Sequence, residues 1–254
     1  MRSKHIIIPI SLFLLLGTGL LNISVSASFA ADAEAPASSA AVADFPKALW
    51  DDALALPTTE NLWWLVGGAA ASLAVVQFED PERPARFLNQ PVIDEIADFG
   101  NIWGDIRVQA PLALGVWGVG GLTGDAEMAD LGFDLSRSLL LTYGTVSVLK
   151  VTFNRTRPNG EQYSFPSGHT AAAFSTAGVV SRRYGGWAGG VAIGLGVVAG
   201  MGRMEDRKHY ASDVIAGATI GWIIGRNAGR SARAEGVGWQ LVPYGQGLAV
   251  AGRF

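Results

Sequence analysis

Apolar residues along this chain gather into blocks rather than alternating with polar ones. The blocks are Leu62–Val76, Leu112–Leu122, Leu135–Leu149, Ala171–Val180, Trp187–Met201 and Val214–Ile224. They are too long for ordinary strands and lack strict period-two alternation, so each predicts a helix. Turn-forming stretches punctuate them. Asp80-Pro81-Glu82-Arg83-Pro84 follows the first, Thr123-Gly124-Asp125 the second, Arg157-Pro158-Asn159-Gly160 the third and Tyr184-Gly185-Gly186 the fourth. Six helices joined by mostly short loops predict an all-α bundle over residues 58–230.

The two ends read differently. Arg2 and Lys4 precede an apolar run from Ile6 to Leu21, and Ser28-Phe29-Ala30 offers a small-x-small cleavage site, so residues 1–30 are expected to be a signal peptide. Residues 31–45 are rich in Ala, Ser, Asp, Glu and Pro, and residues 31–57 are read as a flexible linker. The tail, 231–254, has two short apolar pieces around Gly245-Gln246-Gly247, which suggests a small hairpin on the surface. One hairpin cannot close a barrel in a membrane.

Composition sharpens the class. The chain has 254 residues, 49% of them hydrophobic and 16% charged, against a charged fraction of about 25% in ordinary soluble domains. That predicts a membrane protein or a very apolar helical core. A span needs about 20 apolar residues. Several blocks are shorter, and the first and fifth are the most membrane-like, so membrane insertion is favoured by a narrow margin. The net charge of -3 gives no global basic field for nucleic acid. There is no Cys, so thiolate nucleophiles, thiolate metal sites and disulfides are excluded.

Polar chemistry is concentrated in three segments: Lys150 to Arg157-Pro158, Ser164 to Thr170, and Gly202 to Asp213. Each lies at the end of one helix or the start of the next, and loop parity places all three at one end of an up-down bundle. Lys150, Arg157 and Arg203 are donors suited to an oxyanion with several oxygens. Pro166-Ser167-Gly168 leads into a helix whose free amides would favour an anion. His209 and Asp213 lie four apart, on one face if helical, so the carboxylate could fix one imidazole nitrogen and leave the other to attack. His169 would remain as the proton donor. Singly, each residue has a blander reading: Lys150 and Arg157 as helix-end cations, Ser167 and Asp213 as caps, His169 as a surface polar group. Arg155, Arg207 and Lys208 read as solvated loop charges or headgroup contacts. Jointly, both histidines of the mature chain fall in the segments that hold the cap and the carboxylate, which no single bland reading explains.

At these residues the sequence resembles the type 2 phosphatidic acid phosphatase and vanadium haloperoxidase superfamily. That family's signature is Lys-x6-Arg-Pro, Pro-Ser-Gly-His and Ser-Arg-x5-His-x3-Asp. Here it falls on Lys150, Arg157 and Pro158, then Pro166 to His169, then Arg203, His209 and Asp213, with Gly202 in place of the family Ser. The resemblance covers residues 60 to 228 or so. It implies an all-α bundle that hydrolyses phosphate monoesters or pyrophosphates without a metal or other cofactor. His209 would be the nucleophile, His169 the general acid and Asp213 the group that orients His209. Lys150, Arg157, Ser167, Gly168 and Arg203 would hold the phosphoryl oxygens. Expected partners are a phosphorylated lipid or small phosphate ester and a membrane, with no nucleic acid. Headgroup and acyl recognition are expected in residues 78–107 and in helix faces.

The expected location is a bacterial cell envelope, with the site facing the periplasm. Arg182, Arg183, Arg226, Arg230 and Arg233 would then lie on the cytoplasmic side. A cleaved signal followed by six spans would reverse that, and a bundle that does not fully span removes the conflict. Two alternatives remain: a vanadate-dependent haloperoxidase using the same cradle, and a non-catalytic lipid-phosphate binder for which Gly202 is the only support.

Overall fold

The computed structural model describes residues 10–14, 21–25, 38–80, 82, 90–229, 238–244 and 247–253. The helices among them are α1 (Ser38–Leu54), α2 (Thr59–Val76), α3 (Pro91–Trp103), α4 (Ile106–Thr123), α5 (Ala126–Phe153), α6 (Gly168–Tyr184), α7 (Gly186–Glu205) and α8 (Ala211–Ala228). Two antiparallel hairpins flank them in sequence. β1 (Ile10–Leu14) pairs with β2 (Leu21–Val25), and β3 (Gly238–Tyr244) with β4 (Gly247–Arg253). The signal reading of residues 1–30 falls mostly outside the described residues.

All six apolar blocks are helical, and the all-α bundle holds. The six-helix count is corrected by α1 and α3. The flexible-linker reading is corrected over residues 38–54, where Ala and Ser form a helix despite Pro46. Docking explains the override. Phe45 stacks on Trp117 at 5.5 Å and meets Phe133 edge-on at 5.4 Å. Further along α1, Asp52 accepts a hydrogen bond from Arg137 at 2.5 Å. α3 was hidden by its shortness and its acidic residues, but Pro91 starts it well at the first helical position.

The core is built from small side chains. Ala171, Ala172, Ala173 and Ala177 of α6 are buried, as are Ala199 of α7 and Ala216 of α8. α6 and α8 form the closest pair. A Cβ at Gly217, Gly221 or Gly225 of α8 would come within 2.4, 2.0 and 2.0 Å of the carbonyls of Ser167, Ala171 and Ser175. This four-residue spacing lets two backbones approach where any side chain would hold them apart. Large apolar side chains point outward instead: Trp63 is 73% exposed and Leu122 90%. α7 alone among the described helices is long and apolar enough to cross a membrane, and α2 is a shorter apolar helix.

Candidate active site

The three polar segments meet at one pole of the bundle, where α5 ends and α6 and α8 begin. α5 stops at Asn154, which adopts left-handed geometry (φ 40) and whose N–H donates to the Lys150 carbonyl at 2.9 Å. Asn tolerates this conformation better than most residues. Tyr163 and Arg207 also have positive φ, so the non-glycine residues of this kind among the described ones all sit in these loops. Such conformations persist where surrounding contacts hold them. The carbonyl of Tyr163 accepts from Lys150 Nζ at 2.6 Å.

Backbone contacts tie the segments together. Ser167 N–H donates to the Asp213 carbonyl at 2.9 Å, Asn159 N–H to the Arg207 carbonyl at 3.1 Å, and His209 N–H to the Arg203 carbonyl at 3.1 Å. Ser167 is the residue before α6, but its hydroxyl pairs with Thr170 Oγ1 at 2.9 Å and makes no cap bond to the backbone. The first amides of α6 are therefore left to a ligand, at the positive end of the helix dipole. The Lys150 stem lies 3.8 Å from the place a Cβ would occupy on Gly168.

His209 is buried, with Nδ1 3.8 Å from Asp213 Oδ2. That is ion-pair range, longer than a hydrogen bond. Catalytic contacts of this kind commonly tighten only when a ligand binds. Asp213 is fully buried and heavily held. Its Oδ2 accepts from Ser164 Oγ at 2.5 Å and from Tyr210 N–H at 3.0 Å, and its Oδ1 from Arg155 at 2.8 Å. The Tyr210 contact makes Asp213 part of the α8 capping box as well, so the bland and functional readings of this residue coexist. Burial opposes the Asp213 charge, but contacts from His209, Ser164 and Arg155 win and hold its pKa below the ordinary value.

Arg155 corrects its reading as a solvated or headgroup charge. It donates to Asp213, to Ser212 Oγ at 2.8 Å and to Glu79 at 2.6 Å, while Glu79 also accepts from Ser212 N–H at 2.7 Å. Its guanidinium lies 4.1 Å from the Tyr210 ring centroid. Arg207 pairs with Glu82 and Lys208 with Glu161. Ser164, Arg155 and Glu79 thus support the carboxylate behind His209. The signal that could have exposed Arg155 was its place inside the first motif segment. Glu79, far off in sequence, gave none.

His169 stands in the first turn of α6, with Nε2 3.8 Å from Asp105, which caps α4 and pairs with Arg107. Burial depresses the His169 pKa to about 4, helped by Arg203, with Asp105 pulling the other way. Burial likewise brings His209 to about 4, assisted by Lys150 and Arg203. Lys150 falls to about 8 through burial and then through the charges of Arg157 and Arg203. Arg157 pairs with Glu161 at 2.9 Å. Arg203 pairs with Asp206 at 3.2 Å and donates to Asn101 Oδ1 at 2.8 Å.

The missing Ser at position 202 has a steric reason. A Cβ on Gly202 would lie 2.4 Å from the Ala97 carbonyl and 2.8 Å from Asn101 Oδ1. α3 occupies the space a serine would need, and Asn101 supplies a polar contact to the neighbouring Arg203.

Comparison with known proteins agrees with the resemblance. Residues 131–231 match the model of the PAP2 superfamily. A lipid A 1-phosphatase from Porphyromonas gingivalis is 30% identical over 163 residues, which are 61% of this chain and 35% of the relative. The chain thus spans about a third of the length of the curated relative it matches. Among solved structures, LpxE of Aquifex aeolicus is 26% identical, with a TM-score of 0.48 over 57% of this chain and 91% of that one. A transmembrane PAP2-type phosphatidylglycerolphosphate phosphatase from Bacillus subtilis is 20% identical, with a TM-score of 0.46 over 78% of this chain and 96% of that one. Over residues 131–231 the chain is thus similar to the PAP2 superfamily, the type 2 phosphatidic acid phosphatases.

Proposed function

We propose that this chain hydrolyses phosphate monoesters or pyrophosphates of lipids through a phosphohistidine on His209. The observation that carries the reading is the uncapped start of α6, bearing His169, packed beside Lys150 and bonded through Ser167 to the segment that holds His209 and Asp213. Phosphoryl oxygens bound by the Ser167 hydroxyl, by the α6 amides from Gly168 onward and by Lys150, Arg157 and Arg203 would bring phosphorus to His209. Nε2 attacks, the bond from phosphorus to the leaving oxygen breaks, and His169 supplies a proton to that oxygen. Water then attacks the phosphohistidine, giving its proton to His169, and the P–N bond breaks. Asp213, held by Ser164 and Arg155, stabilises the charge that develops on His209.

A lipid substrate is supported by the match to a lipid A 1-phosphatase and by the arrangement of small residues inside and large apolar ones outside, which suits a bilayer. The proposed place is the bacterial inner membrane, with the site on the periplasmic side. Arg183 is buried against Asp134 and Arg226 pairs with Glu60, so neither is a free charge for setting orientation.

The test is phosphate release in the presence of EDTA from phosphatidate, from polyprenyl pyrophosphate and from p-nitrophenyl phosphate, with vanadate as inhibitor. Turnover in EDTA, blocked by vanadate, is expected. Activity that disappears with chelation and returns with a divalent ion would reject the mechanism.

A further inference from the structure

A cavity of about 720 Å³ lies between α2, α5 and α8, on the flank of the bundle. Its walls are apolar, with Leu65, Leu73 and Val76 from α2 and Phe153 from α5. These four side chains are all more than 40% exposed, so the cavity opens sideways. Its polar lining gathers at the catalytic pole, where Arg155, Ser212 and Ser72 sit, apart from Thr219, whose hydroxyl donates to the Ile215 carbonyl of its own helix. Arg155 donates to Asp213 at 2.8 Å, and Asp213 lies 3.8 Å from His209. The polar end of the cleft is therefore two contacts from the nucleophile.

The dimensions narrow the occupant. Leu65 and Val76 are eleven residues apart on one helix, which is about 16 Å of rise. One leaflet is half of a hydrocarbon core about 30 Å thick. The cleft thus runs about one leaflet deep along the bundle from the catalytic pole, and its volume is within the range of about 300–1,000 Å³ typical of ligand sites. An extended hydrocarbon chain fits a long apolar slot with polar groups at one end, and entry from the side suits a molecule already in a bilayer.

We propose that this cleft binds an acyl chain of the substrate itself, which makes the enzyme selective for long-chain lipid phosphates over soluble esters. The proposal rests on the phosphatase reading and adds to it where the chain lies and what it selects.

Ala69 lines the cleft and its neighbour Ala70 does not, and both are exposed. Ala69→Trp should fill the cleft at little cost to the fold, and Ala70→Trp is the matched control. The measurement is kcat/KM in detergent micelles for dihexadecanoyl phosphatidate, dihexanoyl phosphatidate and p-nitrophenyl phosphate. The native enzyme should prefer the long-chain lipid, and Ala69→Trp should cut the ratio of long-chain lipid to p-nitrophenyl phosphate by ~10-fold or more, as expected from losing one well-packed apolar contact set. Ala70→Trp should leave that ratio within a factor of two or so of the native value. A native enzyme that hydrolyses all three esters, with a ratio unmoved by Ala69→Trp, overturns the cleft and spares the phosphatase. Equal losses on all three substrates overturn it as well. A native enzyme inactive on every ester removes the phosphatase reading, and the cleft proposal with it.

Discussion

The bundle carries buried cations at both poles, and they meet different company. At the pole away from the histidines, Asp134 lies between Arg137 and Arg183, with both contacts at 2.5 Å. Arg137 also reaches Asp52 at 2.5 Å and the Ala228 carbonyl at 3.3 Å. Those bonds fasten α1, α5, α6 and α8 together. Thirteen residues of α5, or about 20 Å, separate Arg137 from Lys150. At the histidine pole, burial lowers the Lys150 pKa, and the nearby charges of Arg157 and Arg203 lower it further. The carboxylates there are placed differently: Asp213 is held behind His209, and Glu161 and Asp206 meet their arginines near the surface. One pole is closed on itself, while the other holds positive charge and uncapped amides for an incoming anion. A structural cation has its counter-charge built in. A binding cation leaves part of its counter-charge to the ligand.

The sharpest way to break this contrast is to remove the histidines. His209→Ala should abolish phosphoenzyme formation on every substrate and lower kcat by ~10⁴-fold or more, since no covalent intermediate forms without the nucleophile. His169→Ala should cost ~10²–10⁴-fold with an alkyl phosphate and much less with p-nitrophenyl phosphate, whose leaving group needs little protonation. Rapid-quench trapping with both substrates checks this. Acid-labile phosphate on the His209→Ala protein would reverse the assignment.

The closed pole should respond in stability and not in chemistry. Asp134→Ala leaves two buried guanidiniums without their shared partner, and breaking a buried pair costs about 3–5 kcal/mol. Denaturant unfolding should show that loss, while kcat per folded molecule stays near the native value. A fall in kcat without a fall in stability would mean that the two poles are coupled.

Much of this architecture was legible beforehand, and the exceptions have physical causes. The six apolar blocks became helices because their length and periodicity reflect packing that α6 and α8 complete with glycine and alanine. The eight residues read as a site lie on segments that the structure bonds together, because motif spacing fixes which helix ends they occupy. α1 escaped because Ala and Ser are ambiguous in isolation and the decisive contact, Phe45 on Trp117, is not local. Asn101 and Glu79 escaped for the same reason: their partners are 102 and 76 residues away. Chemistry repeated at fixed spacing can be read from a sequence, whereas a supporting contact that depends on how helices cross is visible only once they are packed.

The poles should also titrate in opposite directions. Burial lowers both histidines from 6.5 to about 4. Their contribution to stability is therefore present above pH 6.5 and lost as pH falls through that range to 4. Burial raises Asp52 from 3.8 to about 6, the larger effect over its contact with Arg137. Its contribution is present below pH 3.8 and lost as pH rises through 6. Thermal unfolding of His209→Asn and Asp52→Asn across pH 4–7 separates the two slopes. The proposed mechanism adds a further constraint on turnover, because under it His169 carries a proton while His209 does not. In the free enzyme kcat/KM should be greatest in acid and fall toward neutral pH. The falling limb of kcat should lie higher, since a bound phosphate dianion leaves the effect of burial on His169 but offsets that of Arg203 and so favours its proton. Coincident limbs would mean that no anion sits beside His169.

The smallest expected effect concerns Asn101, which lies where α3 presses on α7. Its side-chain oxygen accepts from Arg203 at 2.8 Å, and its amide donates to Asp206 at 3.0 Å, so it links the arginine to that arginine's own carboxylate partner. Asn101→Ala removes both links and leaves the direct Arg203–Asp206 contact. One hydrogen bond of this kind is worth about 1 kcal/mol, or roughly five-fold. The loss should appear in KM and in the affinity for inorganic phosphate, with kcat little changed, because Arg203 would still be present but less well aimed. Restoring a serine by Gly202→Ser should not rescue it. The new side chain would meet the Ala97 carbonyl, which belongs to the α3 backbone and cannot swing aside. Recovery of phosphate affinity in the Asn101→Ala, Gly202→Ser double variant would show that α3 yields, and that Asn101 is not what aims Arg203.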